Sequence, residues 1–227
     1  MSTTPFVIAL DGPAASGKST VGLGVAHASG LRYFDTGLLY RALTWLALQH
    51  EQDLANADAL VRLIGELGVE VDALGQVWRA HRDITPLLHR PEVDLSVSTV
   101  AAHPSVRREL VPLQRSLVRP PGLVMAGRDI GTVIVPEAPL KIWLNASAEE
   151  RARRRAEQTG EDYDEVLHGM RRRDHLDASR EVAPMARAAD AVDVETDRVG
   201  PEQVIARIVE LARERGLRPV EHVSDRA

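Results

Sequence analysis

The sequence contains no cysteine, which removes disulfide frameworks and thiolate metal sites from consideration. Its eight histidines show no pair at a helical or finger-like ligand spacing. Long hydrophobic runs are also missing: apolar strings extend only a few residues, far short of the roughly 20 that a membrane-spanning helix requires. The chain does not open on a basic segment followed by an apolar stretch of secretory length, so no membrane partner and a cytoplasmic location are expected. Excess positive charge is absent too. A net charge of −5 argues against a nucleic-acid partner, which calls for a basic domain or stripe. Lysine is almost missing: of 28 basic residues, 26 are arginine and only Lys18 and Lys141 are lysine. A lysine retained in such a chain marks a position that needs an ammonium group, and Lys18 is the first candidate.

What is present describes a folded chain. Hydrophobic residues make up 44% and charged residues 27%, the balance of a globular protein, and 227 residues suit one core carrying an inserted lobe. Phe6 to Leu10 is a continuous apolar run stopped by Asp11-Gly12-Pro13, the pattern of a strand buried on both faces. Val21, Val25 and Ala28 recur at helical steps from Lys18 onward. Further strands are predicted at Leu31–Phe34, Leu123–Ala126, Leu140–Leu144 and Ala191–Val194, giving about five with helices between them, the pattern of a parallel sheet covered on both faces. The stretch from Asp35 to Gly122 is too long for one crossover. It begins with a helix over Leu38–Gln49 and holds a weakly alternating piece over Val69–Ala80, punctuated by Gly68, Gly75 and Pro86 like a small antiparallel meander. Ser147-Ala-Glu-Glu has the form of a capping box. Thr159 to Asp162 breaks that helix, another runs from about Tyr163 to Arg180, and Pro201 opens the last, which ends near Gly216. The tail after Pro219 reads as loose.

The chemistry concentrates in four places. Gly12-Pro13-Ala14-Ala15-Ser16-Gly17-Lys18-Ser19 has two glycines four residues apart followed by Lys-Ser, between a strand and a helix. Such a loop turns backbone N–H groups toward phosphate oxygens, and the helix dipole adds positive potential. Lys18 would bridge the β and γ phosphates, and Ser19 would hold magnesium. Asp35 to Arg41 follows the second strand, at the sheet end where open α/β folds bind ligands; Arg41 is either a ligand for a second phosphate or a solvated surface charge. Gly127-Arg128-Asp129-Ile130-Gly131-Thr132 offers a donor fork beside an acceptor. Arg151, Arg154 and Arg155 share one helical face, a like-charge cluster calling for an anion, and Arg173, Asp177 and Arg180 share another, with Gly160 as a joint between the groups. Prediction for Lys18 is that it lines a solvent-facing loop. Trp45, Trp78 and Trp143 read as packing or surface residues.

Taken together, IALDGPAASGKST, FDTGLLYRAL, VSTVAAHPSVRRELVPLQR, AGRDIGTVIVPEAPLKIWLNASAEERARRR and RRRDHLDASREVAPMARAADAV resemble the bacterial cytidylate kinases over most of the chain. The resemblance implies an α/β fold: a P-loop kinase core on a five-stranded parallel sheet with helices on both faces, an inserted monophosphate-binding lobe and a short lid. Residues 1–37, 122–150 and 181–227 would form the core, 38–121 the lobe with a small antiparallel insert near 66–85, and 151–180 the lid and its arginine-rich flanking helices. It implies phosphorylation of CMP, and of dCMP, by ATP with Mg2+, in a monomer. ATP would lie on Gly12, Pro13, Ala14, Ala15, Ser16, Gly17, Lys18, Ser19 and Thr20. Cytosine would lie against Ser98, Arg107 and Asp129, the monophosphate against Arg41, Arg128 and Arg180, and the sugar near Arg173 and Asp177, with Thr36 in the same site. Arg154 and Arg155 would reach the transferred phosphate. Thr36 stands where some relatives have serine, and Leu176 where some have another arginine. A P-loop kinase for UMP, AMP or shikimate shares the core, and a nucleotide-binding module without turnover stays open as well. A GTP switch needs an Asn-Lys-x-Asp segment, which this sequence does not contain.

Overall fold

The computed structural model describes residues 4–218, so the tail after Pro219 lies outside the described residues. Five strands, β1 (Phe6–Asp11), β2 (Arg32–Asp35), β6 (Gly122–Gly127), β7 (Leu140–Asn145) and β8 (Val192–Glu195), form one sheet in the order β2-β6-β1-β7-β8. Every pairing in it is parallel. All the carboxyl ends of the strands therefore lie along one edge, and β1 is central.

Strand alternation divides the core between the two faces. Ile8 and Leu10 of β1 point to one side with Val124, Ile142 and Leu144, where α1 (Lys18–Ser29) and α8 (Pro201–Glu214) cover them through Val21, Val25, Val204 and Ile208. Val7 and Ala9 point the other way, with Phe34, Leu123 and Met125. That side is closed by α2 (Gly37–Gln49), α3 (Ala57–Gly65), α4 (Pro91–Ala102) and α5 (Pro104–Ser116), whose Leu43, Leu60, Val100 and Leu110 belong to the same buried cluster. The long stretch between β2 and β6 thus shares its core with the sheet. The meander expected there is a three-stranded antiparallel sheet, β3 (Val69–Val71), β4 (Val77–Arg79) and β5 (Arg82–Asp83).

One detail differs from the expectation drawn from the sequence. Ser147 caps α6 (Ala148–Thr159) by accepting from the Glu150 N–H, but the reciprocal half of the box is missing: the Ser147 N–H donates to Asp197, and Glu150 binds Arg153 and Arg154. Helix α7 (Tyr163–Ala178) stops before Arg180. Its end turns because the Asp177 carbonyl accepts from the Met185 N–H, which folds the following segment back on the helix.

Candidate active site

The loop between β1 and α1 is shaped for anions. Gly12 has φ +153°, and a Cβ there would meet the Leu144 carbonyl oxygen at 2.2 Å, so the backbone can lie this close to β7 only as glycine. Ala15 also adopts a positive φ, at 56°. Helix α1 starts at Lys18 with no side-chain cap and no acidic residue in its first turn, whereas α6 and α7 are capped by Ser147 and Asp162 and carry acidic first turns. The positive end of α1 is thereby left for a ligand. Ser19 and Thr20 are exposed in its first turn, and Ser16 is buried.

Lys18 does not face solvent, as the sequence suggested. It is 7% exposed, and its Nζ donates to the carbonyl oxygens of Gly12 at 2.9 Å and Pro13 at 2.5 Å, because the loop wraps over the first residue of the helix. Burial, followed by the nearby Arg128 charge, lowers its pKa well below the ordinary lysine value. An anion placed here would offset both penalties.

The residues predicted for the acceptor come together beyond this loop, along the carboxyl edge of the sheet. Thr36 donates to the Ala126 carbonyl at 3.0 Å, joining the end of β2 to β6. Arg41 donates to the Leu88 carbonyl at 2.9 Å and to Asp94 at 2.5 Å, so it is neither free nor merely solvated. Asp94, on α4, was not among the sequence candidates; nothing but an acidic residue in a first helical turn marks it. Arg107 on α5 and Asp129 form a buried pair at 2.5 Å. The guanidinium also donates to the Ala101 carbonyl and lies 5.3 Å from the centroid of the Tyr40 ring, within cation–π range. No hydrogen bond from the described residues reaches the other Asp129 oxygen. Ser98 sits half-buried on α4. Asp177 is held between Arg128, at 3.1 Å, and Arg180.

Arg173 is the exception. Among the described residues it makes no ion pair, its Nε is buried without a partner, and burial together with the Arg128 charge lowers its pKa. Leaving aside the exposed Arg155, which also lies near Asp94, the five arginines Arg41, Arg107, Arg128, Arg173 and Arg180 share only three carboxylates, Asp94, Asp129 and Asp177. The surplus is two positive charges, which suits a phosphate monoester carrying about −1.5 to −2.

The arginines of α6 do not form the uncompensated cluster read from the sequence. Arg151 is buried and donates to the Ala146 and Ala14 carbonyls and to Asp174. Arg154 holds Glu150 and, through Thr196, the segment after β8. Arg155 lies 3.7 Å from Asp94 and is partly exposed, at 44% of its side chain. Arg151 and Arg155 find their carboxylates on other helices, Asp174 on α7 and Asp94 on α4, whereas Arg154 pairs within its own helix one turn back.

A family model described as Cytidylate kinase matches residues 8–214. The chain is 44% identical over 216 residues to a cytidylate kinase of Geobacillus sp. (strain WCH70), covering 92% of this chain and 96% of the relative. It is likewise 44% identical over 218 residues to a cytidylate kinase of Mycobacterium avium (strain 104), with 92% and 96% covered. Among solved structures, an uncharacterized protein from Eubacterium ventriosum ATCC 27560 aligns over 92% of this chain and 98% of its own with a TM-score of 0.52 at 11% identity, a likeness of fold alone.

Proposed function

The chain belongs to the cytidylate kinase family, and from that premise we propose that it transfers the terminal phosphoryl group of ATP to the phosphate of CMP, and of dCMP. The observation that carries this reading is the charge surplus beside the P-loop: five arginines on three carboxylates, with Arg128 and Arg173 close enough to act on the Lys18 charge. Phosphoryl transfer asks a protein mainly to position two phosphates and neutralise their oxygens. In this reading Gly12 to Thr20 hold the ATP phosphates, with Lys18 on the β and γ groups. Arg41, Arg128 and Arg180 take the acceptor phosphate, with Arg173 and Asp177 toward the sugar and Thr36 holding the β2 end in place.

Cytosine presents an amine donor beside a ring acceptor, and uracil the reverse. The Asp129 oxygen left over from the Arg107 pair would accept the amine, with Arg107 and Ser98 supplying donors. Residues 38–121 serve as the acceptor lobe and 151–180 as the lid, with Arg154 and Arg155 closing toward the transferred phosphate once their present partners are released.

The residues fit Mg2+ held mostly by phosphate and water, as that ion prefers. Ser19 puts a hydroxyl in the first turn of α1, and no group of three or more His, Cys, Asp or Glu forms a protein cage among the described residues. When bound, the ion supplies neutralisation of the phosphate charge. A cytoplasmic monomer completes the reading; no described helix is long and apolar enough to cross a membrane.

A coupled assay with Mg-ATP against CMP, dCMP, UMP, AMP and shikimate tests it. CMP and dCMP should give the highest kcat/KM, and a clear preference for any other acceptor overturns the assignment.

A further inference from the structure

Asp11 ends β1, one residue before the P-loop begins, and its side chain is bonded to the segment after β6. The carboxylate is buried, with residue exposure of 4%. One oxygen accepts the Ile130 N–H and the other the Gly131 N–H, each at 2.8 Å. These are the first two N–H groups of a single π-helical turn, Ile130–Ile134, whose preceding residue Asp129 makes no capping bond of its own. Asp11 therefore caps that turn from 119 residues away. The approach is close: a Cβ on Gly131 would lie 3.4 Å from the Asp11 carboxylate and 3.1 Å from the Lys141 side chain.

The consequence concerns the two residues just upstream. Gly127 is fixed by its register opposite Asp11 in the β1–β6 ladder. Ile130 and Gly131 are fixed by the carboxylate. Arg128 and Asp129, the only residues between these anchors, are set in direction by the same aspartate at both ends. As a device for stability alone the arrangement is poor, because burial of the carboxylate, chiefly, pushes its pKa up to about 6. An aspartate that supplies two parallel acceptors, one for each N–H, is instead suited to fixing a direction.

We propose that Asp11 is a positioning residue for the acceptor side of the reaction, aiming Arg128 at the acceptor phosphate and Asp129 at the base. The inference rests on the reading of this site as a cytidylate kinase centre. It adds a link between the strand that carries the P-loop and the recognition of the second substrate.

Asp11→Asn tests it. The amide keeps the shape and one acceptor but sets an NH2 group against the second N–H, so the Arg128–Asp129 turn must tilt. Initial rates with CMP, UMP and ATP each varied should show the KM for CMP rising roughly tenfold, since misplacement of about 1 Å has effects up to about a hundredfold. The KM for ATP should change by less than about twofold, and the CMP-to-UMP ratio of kcat/KM should narrow. Asp11→Ala should exaggerate the pattern; if it fails to fold, the asparagine variant decides. Parallel rises in both KM values, an unchanged KM for CMP, or a fall in kcat alone each overturn the proposal. Wild-type protein in the same assay separates the two claims, because an enzyme that does not prefer CMP fails the functional reading itself.

Discussion

Replacing Asp129 by alanine should cost the fold as well as the reaction. The Arg107 side chain is 4% exposed and that of Asp129 7%, so removing the carboxylate leaves a guanidinium that cannot discharge in a site closed to water. Breaking such a buried pair from one side typically costs about 3–5 kcal/mol. Two contacts survive: the bond to the Ala101 carbonyl at 3.2 Å and the Tyr40 ring, a cation–π contact worth about 0.5–2 kcal/mol. The expected loss is therefore about 3 kcal/mol, read from urea denaturation followed by circular dichroism at neutral pH. Asp129→Asn keeps an acceptor for Arg107 and should lose clearly less stability while still narrowing the CMP-to-UMP ratio, which separates the structural cost from base selection. Changing both partners to apolar residues, Arg107→Met with Asp129→Leu, should recover stability relative to Asp129→Ala in an inactive protein. A loss under about 1 kcal/mol for Asp129→Ala, or no recovery in the double variant, would show that the Arg107–Asp129 contact does not behave as a buried charge pair.

Lys18→Ala should lower kcat by about 10²–10³ in the CMP assay, the scale of one lost contact to a developing oxyanion; near-normal turnover in a folded variant would remove the P-loop from the reaction. For Asp11, a folded pKa raised from 3.8 to about 6 means the neutral form is favoured in the fold. Its contribution to stability is full below about pH 4 and lost as pH rises through 6, so wild type should lose up to about 3 kcal/mol against Asp11→Asn between pH 4 and 7, measured as a urea series. Gly160→Ala should destabilise by about 1–2 kcal/mol because φ is +74° at the α6 terminus. Gly169→Ala, inside α7 with nothing within 4 Å of the added carbon, should stabilise by about 1 kcal/mol; thermal melts of the two should move in opposite directions. Hydrogen exchange over residues 151–180 should slow when ATP and CMP bind together, and unchanged exchange would argue against closure.

Composition and periodicity expose the strands because the apolar runs ending at Leu10 and Ala126 are buried on both faces and show as unbroken strings, and the run ending at Leu144 is broken only at Lys141. The P-loop is legible for a related reason, since Gly12 and Gly17 hold backbone that other residues rarely adopt. Partner choice is not legible. Arg151 looks like the leader of a cationic stripe until Asp174 and the Ala14 carbonyl, 23 and 137 residues away, are brought against it. Lys18 looks exposed because loops usually are, yet this one folds over its own lysine. Asp11 carries no signal at all, because the groups it binds are backbone N–H groups, which every residue but proline possesses.

The sheet order has a consequence for the protein during its synthesis. β1 is the central strand and is made before its partners: its neighbours β6 and β7 begin only at residues 122 and 140. At about 5–20 residues per second, roughly 6–22 s separate the first strand from the first partner it can pair with. Throughout that interval Phe6 to Leu10, an apolar run with both edges open, has the character of an aggregation-prone segment.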